Sequence, residues 1–177
     1  MRKLILFLAA VALVGCKSEP SLQKYFVEKT EDKNFVALDL SPSVLNLDPQ
    51  KLTAAQQKSI ESFKKMNILA FKLTEENRNQ FEIERATVDS ILKDNKYQQL
   101  MKFSHGKDGG SINFIGDENK VDEFILYGSQ DDFGMVVVRV LGDKMTPDDI
   151  MNFMSLLRES DMDLDQLKPL QGMFGKK

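Results

Sequence analysis

The chain has 177 residues, of which 24 are basic and 27 acidic, for a net charge of −3 at pH 7. That length suits one domain with a core of its own. A mildly acidic balance without a basic stripe argues against nucleic-acid binding, which rests on neutralising phosphates. The single thiol, Cys16, rules out an intramolecular disulfide.

In chain order, Arg2 and Lys3 precede an uncharged apolar run from Leu4 to Val14, then Gly15 and Cys16. A charged start, a short apolar stretch and a small residue at its end form the pattern of a secretory signal. Eleven apolar residues are too few to cross a bilayer core of about 30 Å as a helix. Leu13-Val14-Gly15-Cys16 resembles a bacterial lipobox, in which the cysteine is acylated and becomes the first residue of the mature protein. Residues 1–15 are therefore expected to be a lipoprotein signal peptide, with Cys16 as the lipidation site. Two or more acyl chains hold a protein stably on its membrane where one holds it weakly. Lys17, rather than Asp, follows the cysteine, which points to the outer membrane, and the periplasmic leaflet is expected over the cell surface. Cleavage would remove Arg2 and Lys3 and leave 162 residues with a net charge of −5.

Residues 16–21 read as the lipidated cysteine and a short tether, 22–170 as a single domain and 171–177 as a flexible tail. Leu22, Tyr25 and Phe26 fall on one helical face. Phe35–Leu40 alternates as a strand, and Val44, Leu45 and Leu47 suggest a short helical turn. Thr53 and Gln56 form a capping-box pattern that opens a helix to about Met66, with Ile60 and Phe63 inward. Asn67–Leu73 reads as a second strand. A helix from Thr74 to about Asn95 has Glu75 and Glu76 at its positive end and Phe81, Val88, Ile91 and Leu92 as its core stripe.

From Tyr97 the texture changes to short apolar runs separated by Gly and Asp. Tyr97–Phe103, Ser111–Ile115, Glu123–Tyr127 and Met135–Leu141 read as four strands joined by hairpins. Thr146-Pro147-Asp148-Asp149 is a helix start, followed by Ile150, Phe153, Met154 and Leu157 at helical spacing. Asp163 reads as the cap of a last short helix that Pro169 stops. The order predicts an α+β domain with a mixed sheet of about six strands. Its C-terminal part is an antiparallel meander. The first two strands, separated by a helix, are expected to pair in parallel, and the helices to pack mainly on one face.

Candidate sites are few. His105, the only histidine, can imitate part of a hydrolase site, although a lone His before a glycine loop is more often a solvated turn residue. Without a second His or a free Cys, zinc-type sites and Cys–His nucleophiles have no basis. Asp161-Met162-Asp163-Leu164-Asp165 resembles the first half of a calcium loop. The sixth and twelfth positions, which need Gly and Glu, hold Gln166 and Gly172. Asp131-Asp132 and Asp117-Glu118 are possible acid–base pairs, but both sit in expected hairpin loops where solvated charge is the default. Met145, Met151, Met154, Met162 and Met173 suggest an adaptable binding surface, with Met154 also placed on the core stripe. No cofactor is expected.

Leu22-Gln23-Lys24-Tyr25-Phe26, Phe35–Pro42, Tyr97–Met101 and Phe133–Asp143, following a lipobox, resemble the domain-of-unknown-function family 4252, small secreted proteins and lipoproteins of Bacteroidota. The resemblance implies an envelope location and one α+β domain, and brings no catalytic residues. The resulting expectation is a non-enzymatic, lipid-anchored envelope protein that binds another envelope protein or scaffolds a complex. A small apolar-ligand-binding domain is the alternative, and a carboxylate-only hydrolase a weaker one.

Overall fold

A computed structural model describes residues 20–41, 48–117 and 119–159. Over these run α1 (Leu22–Lys29), β1 (Phe35–Leu40), a 3₁₀ turn (Pro49–Lys51), α2 (Ala54–Ser62), β2 (Phe63–Lys72) and α3 (Arg78–Ile91). They are followed by β3 (Gln98–His105), β4 (Asp108–Asp117), β5 (Lys120–Gln130), β6 (Gly134–Met145) and α4 (Pro147–Glu159). The α+β class and the four-strand meander match the sequence expectation. The signal segment, Cys16, the turn at Val44–Leu47 and the acidic Asp161–Asp165 run lie outside the described residues.

The six strands form one sheet in the order β1-β2-β6-β5-β4-β3, with every neighbouring pair antiparallel. The expected parallel pairing of β1 and β2 is thus corrected, and the sheet is not mixed. Leu40, the last residue of β1, pairs with Met66, three residues after β2 begins. The link between them returns to the same end of the sheet. α2 spans only about 13 Å and passes into β2 with no loop between, so it carries no crossover along the sheet.

Two helix boundaries also differ from their periodicity. The capping box of Thr53 and Gln56 is present, but α2 stops at Ser62, and Phe63 already has extended dihedrals. From there Phe63 and Lys65 pair with Gly142 and Leu141 of β6, so the sheet ladder satisfies backbone groups that the helix would otherwise use. α3 starts at Arg78 rather than Thr74 because Asn77 is held in the preceding loop. Its Oδ1 accepts from the Thr74 N–H at 2.8 Å, and its Nδ2 donates to the Lys72 carbonyl at 2.9 Å.

Helices lie on both faces of the sheet, not mainly on one. Successive strand residues point to opposite sides, and the core divides accordingly. On one face Leu22, Tyr25 and Phe26 of α1 and Phe81, Val88 and Ile91 of α3 pack on Leu69, Phe71, Ile125, Met135 and Val137. On the other, Ile150 and Phe153 of α4 pack on Phe63, Phe114, Phe124 and Val140. α2 is tied to this second layer by Ser59, whose Oγ donates to Asp149 Oδ1 at 2.8 Å. Asp149 also accepts from the Thr146 N–H and hydroxyl, at 2.7 and 2.9 Å, and so closes the start of α4. Among the described side chains of α4, Ile150, Phe153 and Leu156 are buried apolar residues and Met154 is exposed, not in the core; Leu157 lies outside the described side chains.

A third cluster, Leu40, Ile68 and Ala70 with Val36, Leu38, Val136 and Val138 against it, contains no residue of a described helix. No described helix is long and apolar enough to cross a membrane.

Candidate functional site

Strand β3 is the outer edge of the sheet, and all eight of its residues are exposed. It begins after the turn that closes α3 and ends at His105. Gly106, at φ +63°, opens the two-residue link to Asp108, and a glycine at the first central position is what such a tight hairpin takes. The apolar side chains of this edge face water: Leu100 is 37%, Met101 45% and Phe103 59% exposed, and Phe133, in the β5–β6 link, is 38% exposed. Phe103 pairs across the ladder with Gly110, and its ring occupies the space where a Cβ on Gly110 would sit. The glycine thus provides the seat for an aromatic ring on the sheet surface. Beside that ring, Phe133, Met135, Val136 and Gly128 line a groove of about 360 Å³ with His105 at its rim.

The opposite face of the same strands is polar. β4 and β5 place Ser111, Asn113, Tyr127 and Ser129 on the side that carries α3, all of them buried. They floor a cleft of about 270 Å³ between α3 and β3, whose walls carry Arg85, Asp89, Lys93 and Lys102. Burial, with Asp89 nearby, pushes the Tyr127 phenol up to about 12. Asp89 and Ser129 lie near enough to influence that hydroxyl, but neither meets it in hydrogen-bonding geometry.

Several buried or half-buried charged groups are matched within the chain. Arg85 Nη1 donates to Asp131 Oδ1 at 2.7 Å, Nη2 bonds Glu82, and the guanidinium sits over the Phe81 ring. Glu84, buried in α3, accepts from the Tyr25 hydroxyl at 2.9 Å and from Lys29 Nζ, locking α1 to α3. Burial first, and then Glu84, hold the Tyr25 phenol far above its usual range. Arg139 makes a two-pronged bond to Glu123, Nε to Oε1 at 2.6 Å and Nη2 to Oε2 at 2.9 Å, with its guanidinium over the Phe26 ring.

The described members of the acid pairs singled out in the sequence, Asp117, Asp131 and Asp132, line neither the groove nor the cleft. Asp131 is taken by Arg85, with Lys107 Nζ 3.7 Å away. Asp132 and Asp117 are exposed, and Glu118 is outside the described residues. His105 is exposed at the strand end, and no three His, Cys, Asp or Glu side chains gather as a metal site among the described residues. Of the methionines proposed as a surface, Met145 is fully buried, Met151 and Met154 are exposed, and Met162 and Met173 lie outside the description.

Sequence reasoning missed both the exposed edge and the polar floor. A trace of each was there: Leu100-Met101 breaks the alternation of a half-buried strand, and Ser111-x-Asn113 and Tyr127-x-Ser129 put polar atoms at every second position. No curated protein and no solved structure matches the chain. The family described as Domain of unknown function (DUF4252) matches residues 25–153, from within α1 to within α4, and the chain belongs to that family.

Proposed function

We propose that this is a lipid-anchored cell-envelope protein, held by acyl chains on Cys16, whose domain binds a protein partner along the open edge of its sheet. The observation that carries the reading is β3, an edge strand exposed at every residue, with Leu100, Met101, Phe103 and the neighbouring Phe133 in water. An unpaired edge offers N–H and C=O groups to an incoming strand, and natural proteins normally blunt such edges with charge or bulges. Here Lys102 and one irregularity between Gln99 and Met101 are the guards, and apolar side chains flank them. A partner segment in extended conformation would gain main-chain bonds from β3 and place a side chain in the groove beside Phe103. The role is taken as non-enzymatic, in keeping with the engagement of Asp131, one of the acids that the sequence offered for acid–base work, by Arg85. The domain would work on the outer membrane, facing the periplasm rather than the cell surface.

Binding of a small apolar ligand is the second reading, and the same groove favours it, at the lower end of the size range of ligand pockets. Photo-crosslinking in intact cells separates the two. A photoreactive residue at Leu100 or Met101 should capture one discrete protein, and the same residue at Gln23 on α1 should not. A Cys16→Ser form run beside it should lose the capture if the anchor brings the partners together. If the β3 positions give no reproducible protein adduct while apolar probes protect Phe103 from modification, the ligand reading replaces the docking one.

A further inference from the structure

The cleft on the α3 side of β3–β5 has features that the edge-docking reading does not use. Asn113, Ser129 and Tyr127 are 3%, 5% and 8% exposed. Asn113 Oδ1, the Ser129 hydroxyl and the Tyr127 hydroxyl are buried atoms without a hydrogen bond of good geometry from the described chain, with Asp89 and Ser129 lying beside the Tyr127 hydroxyl. Burying one polar atom without a partner in the chain is costly, and three lining one cleft of about 270 Å³ point to bonds made with whatever occupies it. Two of the three can donate as well as accept, whereas Asn113 Oδ1 accepts only. An anion that carries no proton cannot serve that oxygen; a hydroxyl can serve all three.

The walls add charge. Arg85 is already engaged by Asp131 and Glu82. Lys93 and Lys102, which also line the cleft, form no ion pair among the described residues. Asp89 is the acid on the same stretch of helix, and Asp108, at the hairpin, accepts from the Asp131 N–H. The cleft thus joins a hydroxyl-binding floor to two unpaired ammonium groups, in a space smaller than that of most drug-sized ligands.

We propose that this cleft binds a small hydroxylated carboxylate of about monosaccharide size, a sugar acid, with its hydroxyls on Asn113, Tyr127 and Ser129 and its carboxylate toward Lys93 and Lys102. The cleft and the apolar groove lie mainly on opposite faces of these strands and share Phe103, Asp108, Gly109 and Ser129 in their linings.

Calorimetric titration of the full-length protein in detergent tests this, with D-glucuronate, D-glucose, acetate and inorganic phosphate as probes. D-Glucuronate should give a saturable heat. Glucose, which lacks the charge, and acetate and phosphate, which lack the ring of hydroxyls, should each bind about tenfold or more weakly. Tyr127→Phe and Ser129→Ala should each weaken glucuronate binding about tenfold while leaving the melting temperature unchanged or higher. Lys102→Gln should bring glucuronate down toward glucose and leave glucose unaffected. No saturable heat with glucuronate up to roughly 10 mM, phosphate or glucose binding as well as glucuronate, or equal affinity in the variants would each overturn the proposal. So would a lower melting temperature in Tyr127→Phe, because it would mean that the hydroxyl already has a partner within the chain.

Discussion

The two faces of the sheet are held in different ways. The face under α1 and α3 mixes aromatic packing with buried charge: Phe35 meets Phe71 edge-on and Phe71 lies tilted against Phe81, while Glu84 and the Glu123–Arg139 pair are buried on the same side. The face under α4 is apolar in the sheet itself, with Phe114, Phe124 and Val140 meeting Ile150 and Phe153, and its polar bonds are confined to the α2–α4 junction at Ser59 and Asp149. An apolar layer stabilises through area removed from water and tolerates small shifts. A buried ion pair is demanding in geometry, and taking the charges out of water offsets much of its attraction. The first face is therefore the more sensitive to loss of one partner, and the second to loss of volume.

Breaking the ion pair should give the largest effect. Arg139→Ala leaves Glu123 buried without its partner and should cost about 3–5 kcal/mol in urea unfolding. Replacing both, as Arg139→Met with Glu123→Leu, should recover most of that loss, because no unpaired charge is left in the layer. If the double variant is as unstable as the single one, the pair is not what holds this face.

On the other face Phe153→Ala should cost about 3–4 kcal/mol. Phe153→Leu, which keeps most of the volume, should cost much less. An equal loss in the two would mean that the edge-on contact between Phe153 and Phe63, 5.1 Å between centroids, matters more than filled space.

Alkaline pH should act through the polar face alone. The Tyr127 phenol is pushed up to about 12 in the folded protein, against about 10 in an unfolded chain. The folded state keeps a proton that the unfolded state gives up. This contribution is fully present below pH 10 and is lost as pH rises toward 12. The slope from one such group is at most about 1.4 kcal/mol per pH unit. Tyr25 is shifted in the same direction and adds to it. Urea midpoints measured across this range should fall less steeply in Tyr127→Phe, and an unchanged slope would remove Tyr127 from the account.

The smallest effect is expected at the open edge. Met101→Lys and Phe103→Lys change exposed side chains and should shift stability by no more than about 0.5 kcal/mol each, while abolishing partner capture in cells. A larger loss of stability would show that the apolar edge is needed for the fold and not reserved for docking.

What the amino-acid order determined by itself was local. The alternation in 111–115, 123–127 and 135–141 marked three meander strands. Thr53-x-x-Gln56 marked the start of α2, and Thr146-Pro147 the start of α4. These signals depend on neighbours within a few residues, where dihedral preference and side-chain capping act. The stripe of α3 was legible for the same reason, since Phe81, Val88 and Ile91 all reach the core.

Only the tertiary structure decided the rest. That β2 lies between β1 and β6, with both neighbours antiparallel, depends on pairing partners as distant as Phe63 and Gly142. The side of the sheet that each helix covers follows from which strand face it meets, and alternation alone labels both faces apolar in β2 and β6. The bond from Arg139 to Glu123 joins adjacent strands, and the cleft at Asn113, Tyr127 and Ser129 forms where α3 residues meet those of β3, β4 and β5, far apart in the chain. Burial is a property of distant residues brought together, so a sequence read through local periodicity shows which side chains are apolar but not which ones the fold leaves in water.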